Sequence, residues 1–392
     1  MTTAFKIVGG FILLLLVVGA LIVTIVPRFL DRVYYRGPAS DHFDGARFFN
    51  PDGDADTRQI QPAGTGGSRL GFFWRYFTGS DGRPAWPKSI TIAPIAPPAR
   101  VDGERMVVTW VGHATVLVQT QGLNILTDPV WARNAGPLGT GPRRVAEPGI
   151  ALDTLPKIDL VLVSHNHYDH LDKATLQRLW QRDRPRIVTS LGNDSVIGQT
   201  GADAVALDWG QRIAIKPGVA VTVTRSHHWG SRWFTDRNRA LWSGFVVTLP
   251  GGNLFFAGDS GMGDGQWPAE AAALGPIRLA LIPIGAFRFV PGQMESGSHF
   301  GPVDAVEVHR RLGATRSIPI HWGTFRLSFE AYDTPPKMLE AAMRCTGQSG
   351  FAPIAIGQPA DVAAYAKPTA VAPMPREALL HCLDTPQVRA MR

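Results

Sequence analysis

From residue 105 onward the chain alternates short apolar runs with clusters of turn residues. MVVTWVG (106–112), TVLVQT (115–120) and LNILTD (123–128) are rich in β-branched residues and broken by turn residues, so they predict a meander of strands. Further strand-like runs follow: IDLVLVS, RIVTS, AVALDW, VAVTVTRS, LWSGFVVTL, NLFFAGD, RLALIPI and TRSIPIH. Three segments carry helical spacing instead: KATLQRLWQR, PVDAVEVHRRLG and PPKMLEAAMRC. A short helix is expected near 376–384. One run differs in kind. Residues 7–26 are twenty uncharged residues, IVGGFILLLLVVGALIVTIV. As a helix they would span about 30 Å, the thickness of a bilayer core. A cleaved signal peptide is the alternative, but the run exceeds the usual apolar length and continues past Ala20.

These patterns divide the chain into a transmembrane anchor (7–26), a Pro/Gly-rich connector and N-terminal extension (27–100), a hydrolase-like domain (101–360) and a C-terminal tail (361–392). The extension carries an aromatic patch, FFWRYF at 72–77, read as packing or as an interfacial contact. The net charge of +7 favours anionic surfaces. No lysine-rich insertion offers a phosphate-backbone exosite, so nucleic acid is not an expected partner. Arg28, Arg32 and Arg36 outnumber Lys6 around the apolar run, which places the main domain in the cytoplasm by the positive-inside rule. The two cysteines, Cys345 and Cys382, form no CxxC and no disulfide framework; they read as ordinary core or tail residues and do not fix the compartment.

Candidate chemistry begins after the run IDLVLV. His165, His167, Asp169 and His170 crowd one strand-to-loop segment. In an extended segment residues two apart share a side, so His165 and His167 can converge on one ion while Asp169 and His170 reach another. Imidazoles and carboxylates suit zinc or another first-row divalent metal. One loop cannot fill two coordination spheres. Other strand ends supply the rest: His227 and His228 after VAVTVTRS, Asp259 after NLFFAG, and His321 after SIPI.

With these residues in view the chain resembles the metallo-β-lactamase superfamily, and within it the family of N-acylphosphatidylethanolamine-hydrolysing phospholipases D. WVGHATVLV, ILTDPVW, SHNHYDHLD, HHW, LWSG, FFAGDSG, IPIGA and IHWGTF carry the likeness, between about residues 105 and 340. The resemblance implies an α/β fold of αββα type, two mixed β-sheets flanked by helices. It implies two zinc ions, one on His165, His167 and His228, the other on Asp169, His170 and His321, bridged by Asp259. His227 stands where the family has a different polar residue. His113 is expected to orient the loop rather than bind metal. Tyr168 would face the substrate cleft, and His299 would lie near the substrate phosphate as a proton donor to the leaving group. Asp169, Asp259 and His299 are thus the implied catalytic set. Ser298 departs from the family's Gln, and the surrounding QMESGS departs too, which leaves headgroup selectivity open.

The implied activity is membrane-anchored, phospholipase D-type hydrolysis of N-acylated ethanolamine phospholipids, giving phosphatidic acid and an N-acylethanolamine. Two zinc ions would lower the pKa of a shared water, so no side-chain nucleophile is required. No GxSxG elbow is present. The expected partners are a phospholipid substrate and a membrane; a homodimer stays open. The alternative keeps the site and changes the substrate to a lactone, a sugar phosphate or a β-lactam. A non-enzymatic scaffold is disfavoured because all seven candidate ligands are present.

Overall fold

The computed structural model describes residues 2–24, 32–58, 82–233, 235–289 and 292–391. Helix α1 (Thr2–Thr24) takes up most of the N-terminal apolar run, and its stretch Phe5–Ile22 buries nothing against the rest of the chain. Residues 25 and 26 of the expected span and the FFWRYF patch lie outside the described residues.

Two sheets form the body. The first has the order β13-β1-β2-β3-β4-β5-β6 and the second β12-β11-β10-β9-β8-β7. In sequence these are β1 (Met106–Gly112), β2 (Thr115–Thr120), β3 (Leu123–Thr127), β4 (Leu160–Val163), β5 (Arg186–Ser190), β6 (Ala204–Leu207), β7 (Arg212–Lys216), β8 (Val219–Thr224), β9 (Gly244–Thr248), β10 (Asn253–Phe256), β11 (Ile277–Pro283), β12 (Arg316–Ile320) and β13 (Pro359–Val362). β3 to β6 run parallel, as do β10 to β12, and the remaining pairs are antiparallel. Both sheets are therefore mixed.

Side-chain alternation builds the layers. Val116 and Val118 of β2 point between the sheets, as do Phe245 and Val247 of β9. Their neighbours Leu117 and Val246 point outward, under helices. Strands buried on both faces lose the polar alternation of half-exposed ones, which is why these runs read as continuously apolar. Outside the first sheet lie α3 (Lys173–Asp183) and α4 (Asn193–Gly198); outside the second lie α5 (Trp267–Ala272), α6 (Pro302–Leu312) and α7 (Thr334–Thr346). The fold is thus αββα, as expected. A short α2 (Ala55–Arg58) belongs to the N-terminal extension.

Parallel neighbours need crossovers. α3 links β4 to β5, α4 links β5 to β6, α5 links β10 to β11, and α6 links β11 to β12. The carboxyl ends of β3, β4, β10 and β12 meet at one rim.

The tail is stapled. α8 (Arg376–Cys382) packs on α6 and α7, with α9 (Pro386–Arg389) beyond it. Cys382 pairs with Cys345 of α7 in a disulfide, their Cα atoms 6.1 Å apart. This corrects the reading of the two cysteines as unpaired. A gap of 37 residues leaves no spacing signature; helix packing alone brings them together.

Candidate metal centre

Each candidate ligand sits just past a strand end. His165 to His170 follow β4, His228 follows β8, Asp259 follows β10 and His321 follows β12. Close backbone approach makes this possible. A side chain at Gly258 would place its Cβ 2.7 Å from both Ser164 Cβ and the Ser243 carbonyl. One at Gly285 would lie 2.1 Å from the His321 carbonyl. Three residues at the rim take left-handed φ despite carrying side chains: His113 (55°), Asp128 (29°) and His321 (63°). Such conformations cost about 1–3 kcal/mol each and persist where the surroundings fix them. Here His321 N donates to the His113 carbonyl at 3.1 Å, and His113 N donates to Thr324 Oγ1 at 2.8 Å.

Two groups of side chains converge. In the first, His165 Nε2 and His167 Nδ1 are 2.8 Å apart, and His228 Nε2 is 3.4 Å from His167 Nδ1. Asp259 Oδ2 is 3.9 Å from both His165 Nε2 and His228 Nε2. In the second, Asp169 Oδ2 is 3.4 Å from His170 Nε2 and 3.3 Å from His321 Nε2. The same Asp259 Oδ2 is 2.9 Å from His170 Nε2 and 3.0 Å from His321 Nε2. One carboxylate oxygen is therefore common to both groups.

The outer nitrogens fix tautomers. His228 Nδ1 donates to the Ser298 carbonyl at 2.8 Å, which leaves Nε2 with its lone pair inward. His170 Nδ1 donates to Asp128 Oδ2 at 2.6 Å, which turns Nε2 inward. Asp128 also accepts from Ser164 N (2.7 Å) and Ser164 Oγ (2.6 Å). Asp259 Oδ1 is buried with no hydrogen-bond partner among the described residues, and His170 Nε2 and His321 Nε2 are buried facing the Asp169 and Asp259 carboxylates. Inward lone pairs on buried imidazoles around two carboxylates are a donor set that fits a divalent metal.

The electrostatics agree. Burial, with neighbouring imidazoles, holds His165 and His228 well below the ordinary histidine value. Burial brings His167 to about 3. These three are neutral at pH 7, as ligation requires. Burial opposes charge on Asp169 and Asp259, yet the adjacent His170 keeps both well below the usual carboxylate range. Burial likewise opposes a proton on His170 and His321, but Asp259 and Asp169 prevail; His170 is raised well above its ordinary value and His321 to about 9. Protons on these two imidazoles stand where a metal cation would balance the same carboxylates.

The structure brings His165, His167, Asp169, His170, His228, Asp259 and His321 together. His299 joins the mouth of the site, its Nδ1 3.8 Å from Asp259 Oδ2. His113 is buried beside Asp169, its Nε2 2.9 Å from Oδ2, and its ring nitrogen also lies within reach of the group formed by Asp169, His170 and His321. Tyr168 is not brought into the cluster. Its hydroxyl donates to the Arg232 carbonyl at 2.9 Å, and its ring lies 4.0 Å from the Arg232 guanidinium. It lines a cavity of 440 Å³ with Arg32, Lys173 and Trp233. His227 turns away, between Asp52 and Asp56. Asp128, behind His170, belongs to the site as well, though the strand-end motif had not marked it. It ends an apolar strand just as Asp259 does, and that signal was available.

Comparison with known proteins agrees with this fold. Residues 123–322 match the profile described as "Beta-lactamase superfamily domain". The chain is 38% identical over 241 residues to N-acyl-phosphatidylethanolamine-hydrolyzing phospholipase D 1 of Caenorhabditis elegans, covering 58% of this chain and 67% of that protein. It is 32% identical over 238 residues to the mitochondrial N-acyl-phosphatidylethanolamine-hydrolyzing phospholipase D of Saccharomyces cerevisiae, covering 59% of this chain and half (50%) of that protein. Among solved structures, Igni18, a metallo hydrolase from the archaeon Ignicoccus hospitalis, superposes with a TM-score of 0.51 at 20% identity. It covers 66% of this chain and 99% of its own. That last likeness concerns the fold alone.

Proposed function

The chain belongs to the metallo-β-lactamase superfamily and is a metal-dependent hydrolase; on that premise we propose that it is a zinc phosphodiesterase cleaving N-acylphosphatidylethanolamine-like lipids on the headgroup side. The observation that carries this reading is the Asp259 carboxylate oxygen shared by two histidine groups, in a chain similar to two proteins named for that hydrolysis. His165, His167 and His228 would hold one ion, Asp169, His170 and His321 the other, and Asp259 both. Bound there, the ions supply Lewis acidity and an ionised water near neutral pH.

The chain's own residues do the rest. Asp128, Ser164 and the Ser298 carbonyl keep imidazole lone pairs inward. His113 holds the Asp169 carboxylate through Oδ2. Burial holds His299, at the mouth, down at about 4, so it is neutral near pH 7 and would relay the proton given up by the attacking water to the leaving ethanolamide oxygen. Water adds to phosphorus, the bond from phosphorus to the ethanolamide oxygen breaks, and that oxygen is protonated. The products are phosphatidic acid and an N-acylethanolamine.

α1 would tether the domain to the lipid surface that holds the substrate. The disulfide between Cys345 and Cys382 favours an oxidising compartment. We therefore put the hydrolase domain on the oxidising face of the membrane, against the charge count around the anchor. That count rests on a few arginines; a disulfide does not persist among reduced thiols.

The test uses zinc-loaded protein and N-acylphosphatidylethanolamine in mixed micelles, with products read by mass spectrometry. Zinc-dependent release of phosphatidic acid, lost in Asp259→Asn, is the expected outcome. No release from protein shown to hold metal, with turnover of lactones or water-soluble esters instead, would overturn the lipid reading.

A further inference from the structure

We infer that Asn50, in the extension ahead of the hydrolase domain, is a positioning residue for the metal centre, built to hold the His228 peptide in place. The inference rests on the reading of His228 as a ligand.

Asn50 is 2% exposed. Its Nδ2 donates to the His228 carbonyl at 2.9 Å and to Asp54 Oδ1 at 2.7 Å. Its Oδ1 accepts from His228 N at 3.3 Å and from Trp242 Nε1 at 3.1 Å. Two acceptors at one end and two donors at the other leave the amide one orientation. Only a side chain that is donor and acceptor at once can grip both polar groups of one residue's backbone. Asn50 thus fixes the backbone of His228, while Ser298 fixes its ring through Nδ1. Between them they settle where Nε2 points.

The neighbouring residues repeat the pattern. His227 lies between Asp52, 3.0 Å from Nδ1, and Asp56, 3.0 Å from Nε2. His227 N donates to Ser260 Oγ at 2.9 Å, beside Asp259. A Cβ at Gly297 would come within 2.5 Å of the Asp56 backbone, so the loop carrying Ser298 and His299 closes directly on the extension. Phe43 and Phe48 anchor this arm by burial against Leu241 and Trp242. Residues 43–56 therefore touch the loops that carry His228, Asp259 and His299. The Asn50 amide is the contact made to a ligand residue itself.

The test measures zinc affinity by chelator competition in full-length protein, with the absorption of the cobalt-substituted form as a second readout. Four variants are compared: Asn50→Ala, Asn50→Gln, His228→Ala and Asn124→Ala. Asn124 is a buried asparagine bonded to the carbonyls of Ala99 and Lys157 at the other end of β3, and it controls for loss of stability alone. Loss of a partner that orients a ligand typically costs about 10–100-fold in metal affinity. Asn50→Ala should show that loss, together with an altered cobalt spectrum, while Asn124→Ala destabilises without weakening zinc. If Asn50→Ala fails to fold, as judged by circular dichroism, Asn50→Gln decides, because it keeps the amide and shifts it by one methylene. Wild-type affinity and spectrum in a folded Asn50 variant, with zinc lost in His228→Ala, would overturn the inference. Zinc retained in His228→Ala would instead overturn the ligand assignment beneath it.

Discussion

Replacing Asp128 by Asn changes one atom in a fully buried side chain and should weaken the site's hold on one metal. The carboxylate accepts three hydrogen bonds, two from Ser164 and one from His170 Nδ1. An amide cannot accept all three. If its oxygen stays on Ser164 N, its NH2 group faces His170 Nδ1–H, and two donors collide. His170 can escape only by moving its proton to Nε2, which removes the lone pair aimed at Asp169 and Asp259. If the amide flips, the collision moves to Ser164 N–H. In the first arrangement the charge-assisted bond to His170 is lost, worth about 1.5–3 kcal/mol; in the flipped one the loss falls on Ser164 and His170 keeps its acceptor, so Asp128→Ala, which offers His170 no acceptor at all, is measured alongside. At about 1.4 kcal/mol per tenfold, zinc affinity should fall roughly 10–100-fold, matching the usual cost of losing a ligand's orienting partner. Burial already raises the Asp128 pKa, so its charge is costly in the metal-free fold. Metal-free stability should therefore change less than affinity. Chelator competition gives the affinity and urea unfolding of metal-free protein gives the stability. An Asp128→Ala protein that binds zinc as tightly as wild type would refute the argument that Asp128 sets the His170 tautomer.

Other perturbations test the fold. Burial holds His309 of α6 down at about 4, below the ordinary 6.5. Between those values the unfolded chain binds a proton that the folded one refuses, so stability is lost as pH falls through this window, by up to about 3 kcal/mol. His309→Gln should flatten that part of the stability–pH profile in denaturant titrations, and an unchanged slope would contradict it. Cys382→Ser opens a loop spanning 37 residues and should cost up to about 4 kcal/mol on the chain-entropy account. Its zinc affinity should stay at the wild-type value, because the disulfide joins α7 to α8 away from the ligands; a loss of metal would contradict this. In intact cells both cysteines should resist alkylation until a reductant is added. Labelling without reductant would return the domain to the cytoplasm.

Much of the site was legible because metal ligands stand at strand ends, and strand ends show in a sequence wherever an apolar run stops at His or Asp. That rule found His165, His228, Asp259 and His321, and applied evenly it would have found Asp128. The layered fold was legible because strands buried on both faces stay apolar throughout. What was not legible has physical causes. β13, PADV, opens on proline and has no alternation; it is an edge strand, where a missing N–H is tolerated. α4 has six residues, too few for helical periodicity to register. The disulfide depends on how α8 packs on α7. The hold of Asn50 on His228 spans 178 residues and could be seen only in three dimensions. The stacking of Tyr168 beneath Arg232, 64 residues along the chain, likewise shows only in three dimensions.

The most direct test of the account is hydrolysis of N-acylphosphatidylethanolamine by the zinc-loaded enzyme in oxygen-18 water. Attack of water on phosphorus puts one heavy oxygen in the phosphate of the released phosphatidic acid and none in the N-acylethanolamine. Label in the N-acylethanolamine, or in a freed fatty acid, would mean that attack falls on carbon, and the phosphodiesterase assignment would fail.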